Sequence, residues 1–291
     1  MKRFNNFADL GPSSSGWVAS SIVILPVPYD RTSTWVKGAD KGPAAVISAS
    51  SAVELYDIET GQEVYRQGIH TLAPLPVKMS PAEMVRRVKE KVSGLLDAGK
   101  FVVTLGGEHS VSIGPVHAHS ARFKGLSVLQ LDAHADLRDE YEGSRYNHAC
   151  VMARVKEICP AVQVGIRSMC AEEKDKSDPE DIFFARDIAG KNGWIDEVAG
   201  RLSGNVYVTI DLDVFDPSIM PSTGTPEPGG LTWYPVMQLL RAVAEKKNIV
   251  GFDVVELCPN KSNRAPDFLA AKLIYKFLGY IHGEKKIEDR G

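Results

Sequence analysis

The chain has 291 residues, with 34 Lys and Arg against 37 Asp and Glu for a formal net charge of −3, and it is 44% hydrophobic and 24% charged. That is an ordinary globular mixture, long enough for one large α/β domain, and it lacks the broad basic field of a non-specific nucleic-acid binder. No apolar run approaches the roughly 20 residues that span a bilayer, so neither nucleic acid nor a membrane is an expected partner.

Residues 1–6 lack the apolar stretch of a secretion signal. The tract Gly11-Pro12-Ser13-Ser14-Ser15-Gly16 reads as a flexible entry, so residues 1–20 are expected to form an arm and 21–291 a single domain. Apolar runs at 22–25, 101–105, 126–131, 162–166, 206–210 and 249–255 are rich in Val and Ile. Such runs suit strands buried on both faces of a parallel sheet. Between them, Ser80-Pro81-Ala82-Glu83 is a capping-box signal. It precedes apolar residues at helical spacing from Met84 to Leu96, with Gly99 as a stop. Thr232 is a candidate cap for a helix ending near Asn248, and 267–281 form a last helical pattern. Alternating strands and helices imply right-handed crossovers and chemistry at the carboxyl ends of the strands. Cys150, Cys159, Cys170 and Cys258 contain no CxxC pair, which favours reduced thiols and a cytoplasmic location.

Three strand ends carry potential metal ligands: His109 in Gly106-Gly107-Glu108-His109-Ser110, then Asp132, His134 and Asp136 in Asp132-Ala133-His134-Ala135-Asp136, and Asp211 and Asp213 in Asp211-Leu212-Asp213. Spacing by two places alternate residues on one side of an extended chain. Gathered in one crevice, such a set would repel itself without compensating cations. Aspartates and imidazoles without thiolate favour a hard-to-borderline ion such as Mn²⁺ over structural zinc, and six ligands suit two ions that together activate water. His117 and His119 form an HxH outside these motifs and read as surface or packing residues.

These motifs, with TIDLDVFDPSIMPSTGTPEPGG at 209–230, GFDVVELCP at 251–259 and the earlier Asp30-Arg31-Thr32-Ser33-Thr34-Trp35, resemble the ureohydrolase family of arginases and agmatinases, most of all bacterial agmatinases. The likeness runs from Thr32 to the C-terminal helix. It implies a three-layer α/β/α fold on a mainly parallel eight-stranded sheet and two Mn²⁺ ions per subunit. Asp132 and Asp211 would bridge the ions, His109 and Asp136 would complete one site, and His134 and Asp213 the other. It also implies a homo-oligomer, trimer or hexamer, and hydrolysis of a guanidinium to urea and an amine through a metal-bridging hydroxide. Glu256 matches the family's guanidinium-binding glutamate. His148 stands in the place of the catalytic histidine, able to protonate the departing amine, although Asn147-His148-Ala149-Cys150 departs from the arginase pattern.

The loop 137–147 is one residue shorter than in arginases up to the histidine and lacks their Ser-Gly-Asn element. Arginine's carboxylate would then be desolvated without replacement. The loop's acids Asp139, Glu140 and Glu142 suit a substrate ending in an ammonium, so agmatine, cleaved to putrescine and urea, is the expected substrate. Arg138 and Arg145 keep 4-guanidinobutyrate open, and aminopropylagmatine, arginine and formiminoglutamate are further family substrates. A non-catalytic metal-binding relative would be expected to lose ligands, His148 or Glu256, and none is missing. A two-metal phosphoesterase would need phosphate contacts that these motifs do not offer.

Overall fold

Each of the six apolar runs is a strand, and two short edge strands complete an eight-stranded, all-parallel sheet in a computed structural model that describes residues 5–283. The strands are β1 (Ile22–Val27), β2 (Ile69–Thr71), β3 (Phe101–Gly106), β4 (Leu126–Leu131), β5 (Ala161–Ile166), β6 (Ile182–Phe184), β7 (Asn205–Asp211) and β8 (Asn248–Val255). The helices are α1 (Pro12–Ser15), α2 (Gly42–Ser50), α3 (Pro81–Asp97), α4 (Ile113–Arg122), α5 (Val151–Lys156), α6 (Ala171–Lys176), α7 (Ala185–Ile188), α8 (Trp194–Arg201), α9 (Trp233–Lys246) and α10 (Ala265–His282).

Alternation along β1 divides the core in two. Ile22 and Ile24 pack with α2, α8, α9 and α10, while Val23, Leu25 and Val27 pack with α3, α4 and α5 on the opposite face. Each fully buried Val, Ile or Leu contributes about 1.5–3 kcal/mol, which explains why strands apolar on both faces are stable only between two helical layers.

The sheet order is β2-β1-β3-β8-β7-β4-β5-β6. The chain enters on one side of the sheet, crosses from β3 to β4, and later inserts β7 and β8 between them. The four central strands therefore finish side by side, with Leu105 paired to Val254, Val254 to Ile210 and Ile210 to Leu131. A crevice opens above such a switch in strand order, because adjacent connections leave in opposite directions.

Several local expectations need correction. The described part of the arm is packed: Phe7 is fully buried, its N–H donates to Thr71 Oγ1 at 2.9 Å, and the N–H of Ala8 donates to Ser50 Oγ at 2.8 Å. Residues 12–15 within the Gly/Ser tract form α1. The outer ends of the expected arm and domain, residues 1–4 and 284–291, lie outside the described residues. At α3 only half the capping box forms. Ser80 Oγ accepts from the Glu83 N–H at 3.3 Å, but the Glu83 carboxylate pairs with Arg86 and Arg87. Thr232 precedes α9 without a side-chain cap, and Asn248 opens β8. The four cysteines are free thiols. Among the described residues no helix is long and apolar enough to cross a membrane.

Candidate metal centre

The crevice is assembled from backbone upward. At the end of β3, a Cβ on Gly107 would lie 2.0 Å from the carbonyl oxygen of Tyr29, so only glycine lets the two chains touch. The Gly107 N–H donates to Val27 O at 2.9 Å and that of Glu108 to Tyr29 O at 2.8 Å. The connection after β1 is thereby laid against the residue preceding His109. At the end of β4, Asp132 Oδ1 accepts from the His134 N–H at 2.6 Å and Oδ2 from Gln130 Nε2 at 2.7 Å. Asp211 Oδ1 accepts from the Asp213 N–H at 2.9 Å, and Asp213 Oδ1 from the Ala133 N–H at 3.0 Å. Each of these aspartates thus has one oxygen oriented by the backbone and keeps acceptor capacity toward the crevice.

All six expected ligands meet there, in two groups able to hold metal ions. His109, Asp132 and Asp211 form one, and Asp132, His134 and Asp213 the other, the donor atoms within each group lying within 4.8 Å of one another. Asp132 is shared. Asp211 falls in the His109 group and lies close enough to Asp213 of the other for the two charges to act strongly on each other. Asp136 joins the His109 group through its Oδ2, 2.9 Å from His109 Nδ1. His134 Nδ1 lies 2.9 Å from Asp213 Oδ2.

The hydrogen bonds behind His109 show why a cation fits. Tyr207 and Thr209 both donate to Asp253, at 2.8 and 2.7 Å. Having given its proton away, the Thr209 hydroxyl offers His109 Nε2 only lone pairs, at 2.9 Å, so Nε2 carries the hydrogen. The bare Nδ1 lone pair then faces oxygens of Asp132, Asp136 and Asp211 at 3.0, 2.9 and 3.3 Å, without a hydrogen bond to any of them. A buried ring nitrogen ringed by carboxylates is favourable only with positive charge between them, an ion or the proton that Asp132 and Asp136 hold on His109 despite its burial. Without an ion Asp211 and Asp136 resist ionisation, while Asp132, though buried, is held well below the usual range by His109 and His134. Burial first, then Asp213 and Asp132, raise Asp211 well above its ordinary value, and burial followed by the Asp132 charge pushes Asp136 up to about 7.

Asp253 was not singled out in the sequence, since its partners lie on neighbouring strands. Asp253→Asn leaves one acceptor for the two hydroxyls of Tyr207 and Thr209, and with the amide NH₂ turned to Thr209 the hydroxyl proton is freed to point at His109. We expect the weaker of two ion affinities to fall about 10–100-fold, measured by titrating metal-free protein with MnCl₂ in a calorimeter. Unchanged affinity at both positions would refute the relay.

Above the metal groups lies a cavity of about 270 Å³, whose wall includes His148, Glu256, Arg138, Tyr141 and Trp35. Glu256 accepts from the His109 N–H at 2.7 Å through Oε1. Burial, and then the charge of His134, hold the His148 imidazole down at about 4. It is therefore neutral near pH 7 and must collect a proton before it can give one, in contrast to the group titrating near neutrality that the sequence suggested.

The substrate argument from the acidic loop does not survive. Asp139 pairs with Lys176 at 2.8 Å and Arg154 at 3.4 Å, and neither it nor Glu140 or Glu142 lines the cavity. Arg145 is taken by Glu157 at 2.7 Å. Only Arg138 and Tyr141 of this loop reach the wall, with the guanidinium 4.5 Å from the ring centroid. His119, on α4, is fully buried beside Tyr207 of β7, with ring centroids 4.7 Å apart and its Nδ1 2.8 Å from Pro115 O, so it is a packing residue. Cys150 is likewise buried, and burial pushes its thiol up to about 11. Asp216 accepts from the N–H groups of Gly229 and Gly230 at 2.9 and 3.1 Å, which folds the 216–230 segment beside Asp213. Arg167, unremarked in the sequence, ties that segment to β5 by donating to the carbonyls of Gly165, Asp213 and Glu227 at 3.1, 2.6 and 2.8 Å.

Comparison with known proteins gives consistent matches. The arginase family profile matches residues 20–279. The N(1)-aminopropylagmatine ureohydrolase of Synechocystis sp. is 40% identical over 278 residues, 91% of this chain and 90% of that one. The agmatinase of Pyrococcus horikoshii is 34% identical over 264 residues, 88% of this chain and 90% of that one. The crystal structure of the agmatine ureohydrolase of Thermoplasma volcanium superposes with a TM-score of 0.86 at 31% identity, covering 97% of this chain and 95% of that one.

Proposed function

The chain belongs to the arginase family of ureohydrolases, and from that premise we propose that it hydrolyses the guanidinium end of a linear guanidinoalkylamine, N1-aminopropylagmatine in preference to agmatine, to urea and the corresponding amine. The carrying observation is the cavity: carboxylates crowd its floor, while its wall offers the aromatic rings of Trp35 and Tyr141. Trp35 is 72% exposed and so stands at the rim. The floor suits a guanidinium, which stays protonated at neutral pH. The Trp35 ring suits a methylene arm carrying a further ammonium, through apolar contact and cation–π attraction, whereas the Tyr141 ring already carries the Arg138 guanidinium. The 40% identity to an aminopropylagmatine enzyme, against 34% to an agmatinase, supports the longer substrate.

Within this reading the six ligands would hold two Mn²⁺ ions, since oxygen and imidazole donors without thiolate suit that ion. The ions would supply positive charge that makes water a nucleophile at neutral pH. The chain's own residues do the rest. Glu256 receives the guanidinium edge-on and fixes its plane. His148 accepts a proton and returns it to the nitrogen that leaves as the amine. Each turnover consumes one water and divides the guanidinium between urea and an ammonium product.

The test is urea release by Mn²⁺-loaded protein from aminopropylagmatine, agmatine, arginine and 4-guanidinobutyrate. We expect kcat/KM for aminopropylagmatine to exceed that for agmatine about tenfold or more, and the two carboxylate-bearing compounds to lie about 10³-fold lower or beyond. Comparable rates on arginine or 4-guanidinobutyrate would overturn the dicationic reading, and agmatine in first place would overturn the preference.

A further inference from the structure

The stretch Asp30-Arg31-Thr32-Ser33-Thr34-Trp35 carried part of the family resemblance but supplies no metal ligand. Its place in the fold explains it. The connection after β1 rests on Gly107 and Glu108, and from there Thr32 reaches His148, 116 positions later in the chain. The His148 N–H donates to Thr32 Oγ1 at 2.9 Å, and the His148 Nδ1 edge lies 3.3 Å from the same oxygen. Thr32 is buried.

A threonine hydroxyl has one hydrogen and two lone pairs, so one lone pair takes the backbone N–H of His148 and the same oxygen can still bond the ring at Nδ1. Tyr141, edge-on with its ring centroid 6.4 Å away, packs against the same imidazole.

We propose that Thr32 is a positioning residue for His148: its single hydroxyl binds both the backbone and the ring edge of that histidine and so holds the imidazole in one orientation. The proposal rests on the reading of His148 as the proton-transfer group, and a double-mutant cycle separates the two. Thr32→Val keeps the shape and removes both hydrogen bonds, Thr32→Ser restores the hydroxyl, and His148→Ala removes the group acted upon. All are assayed for urea release from aminopropylagmatine and agmatine, with bound metal measured by mass spectrometry and folding by circular dichroism.

We expect Thr32→Val to lower kcat about 10–100-fold, a fraction of the 10²–10⁴-fold that a general acid–base group contributes, with KM changed less than about threefold and metal content unchanged. Thr32→Ser should recover most of that kcat. In the His148→Ala background, Thr32→Val should cost nothing further, as two residues in one interaction are not additive. The proposal is overturned if Thr32→Val lowers kcat equally in both backgrounds, if serine gives no rescue, or if metal is lost. Wild-type kcat in His148→Ala would overturn the catalytic reading of His148 and this proposal together. Loss in His148→Ala with a fully active Thr32→Val would overturn the Thr32 proposal alone.

Discussion

Asp132→Ala is expected to abolish binding at both metal groups and to lower urea release by about 10³-fold or more, since bound metal contributes several kcal/mol to such reactions and each 1.36 kcal/mol is a factor of ten. The reason is its position. Asp132 is the residue common to both groups, with one oxygen 3.0 Å from His109 Nδ1 and the other 3.6 Å from His134 Nδ1. Asp211→Ala should likewise lose bound metal, because Asp211 stands in the His109 group and beside Asp213 of the other. Ion counts by mass spectrometry test both variants. So does the rise in melting temperature on adding MnCl₂, which follows from binding to the native state alone. Alanine at 132 leaves the His134 N–H and Gln130 Nε2 without that acceptor, a cost of about 1–3 kcal/mol per buried group. Despite its burial, Asp132 is held well below the usual carboxylate range by His109 and His134, so the metal-free variant should melt below the wild type while its metal-induced stabilisation vanishes. A full complement of ions in either variant would contradict this assignment of ligands.

The spacing of Asp132, His134 and Asp136, and of Asp211 and Asp213, announced a metal crevice because a strand end presents alternate residues together. The six long strands were equally legible, being apolar on both faces. β2 and β6 were not, because three residues at a sheet edge carry too little periodicity to stand out. Phe7 shows a related limit: one aromatic near a Gly/Ser tract does not reveal that the core receives it. What spacing could not show was which way the acids of 139–142 face, since a solvated loop and a substrate-binding loop have the same composition. Arg167, Asp253 and Thr32 were invisible for a third reason. Each acts through partners brought close only by the sheet order or by the packing of the connection after β1.

Glu256→Gln should lower kcat/KM by about 10²–10³-fold, the range for loss of one preorganised electrostatic contact, while leaving metal content unchanged. Glu256 follows β8 with φ at +66°, a left-handed conformation that costs a non-glycine residue about 1–2 kcal/mol. Its N–H donates to Gly107 O at 2.7 Å, and Oε1 accepts from the His109 N–H at 2.7 Å. Those two bonds hold the strained backbone and leave Oε2 as the free oxygen. A Cβ on Gly224 would lie 3.5 Å from it, so the side of the carboxylate that must accept a guanidinium is flanked by a residue without a side chain. Glutamine can keep the Oε1 bond but loses the charge and one of the two acceptors a planar cation requires. The same substitution should stabilise the metal-free protein. Burial, and then the charge of Glu108, raise the Glu256 carboxyl well above its ordinary value of 4.5. The folded state thus holds this proton more tightly than the unfolded state, and stability falls as pH rises above about 4.5. Glutamine does not ionise, so melting temperatures of metal-free wild type and variant should diverge with rising pH, the variant being higher at pH 8. A variant that melts at or below the wild type there would sink this account of the strained carboxylate. Lost activity beside gained apo stability would mark Glu256 as a group kept for its charge at the expense of the fold.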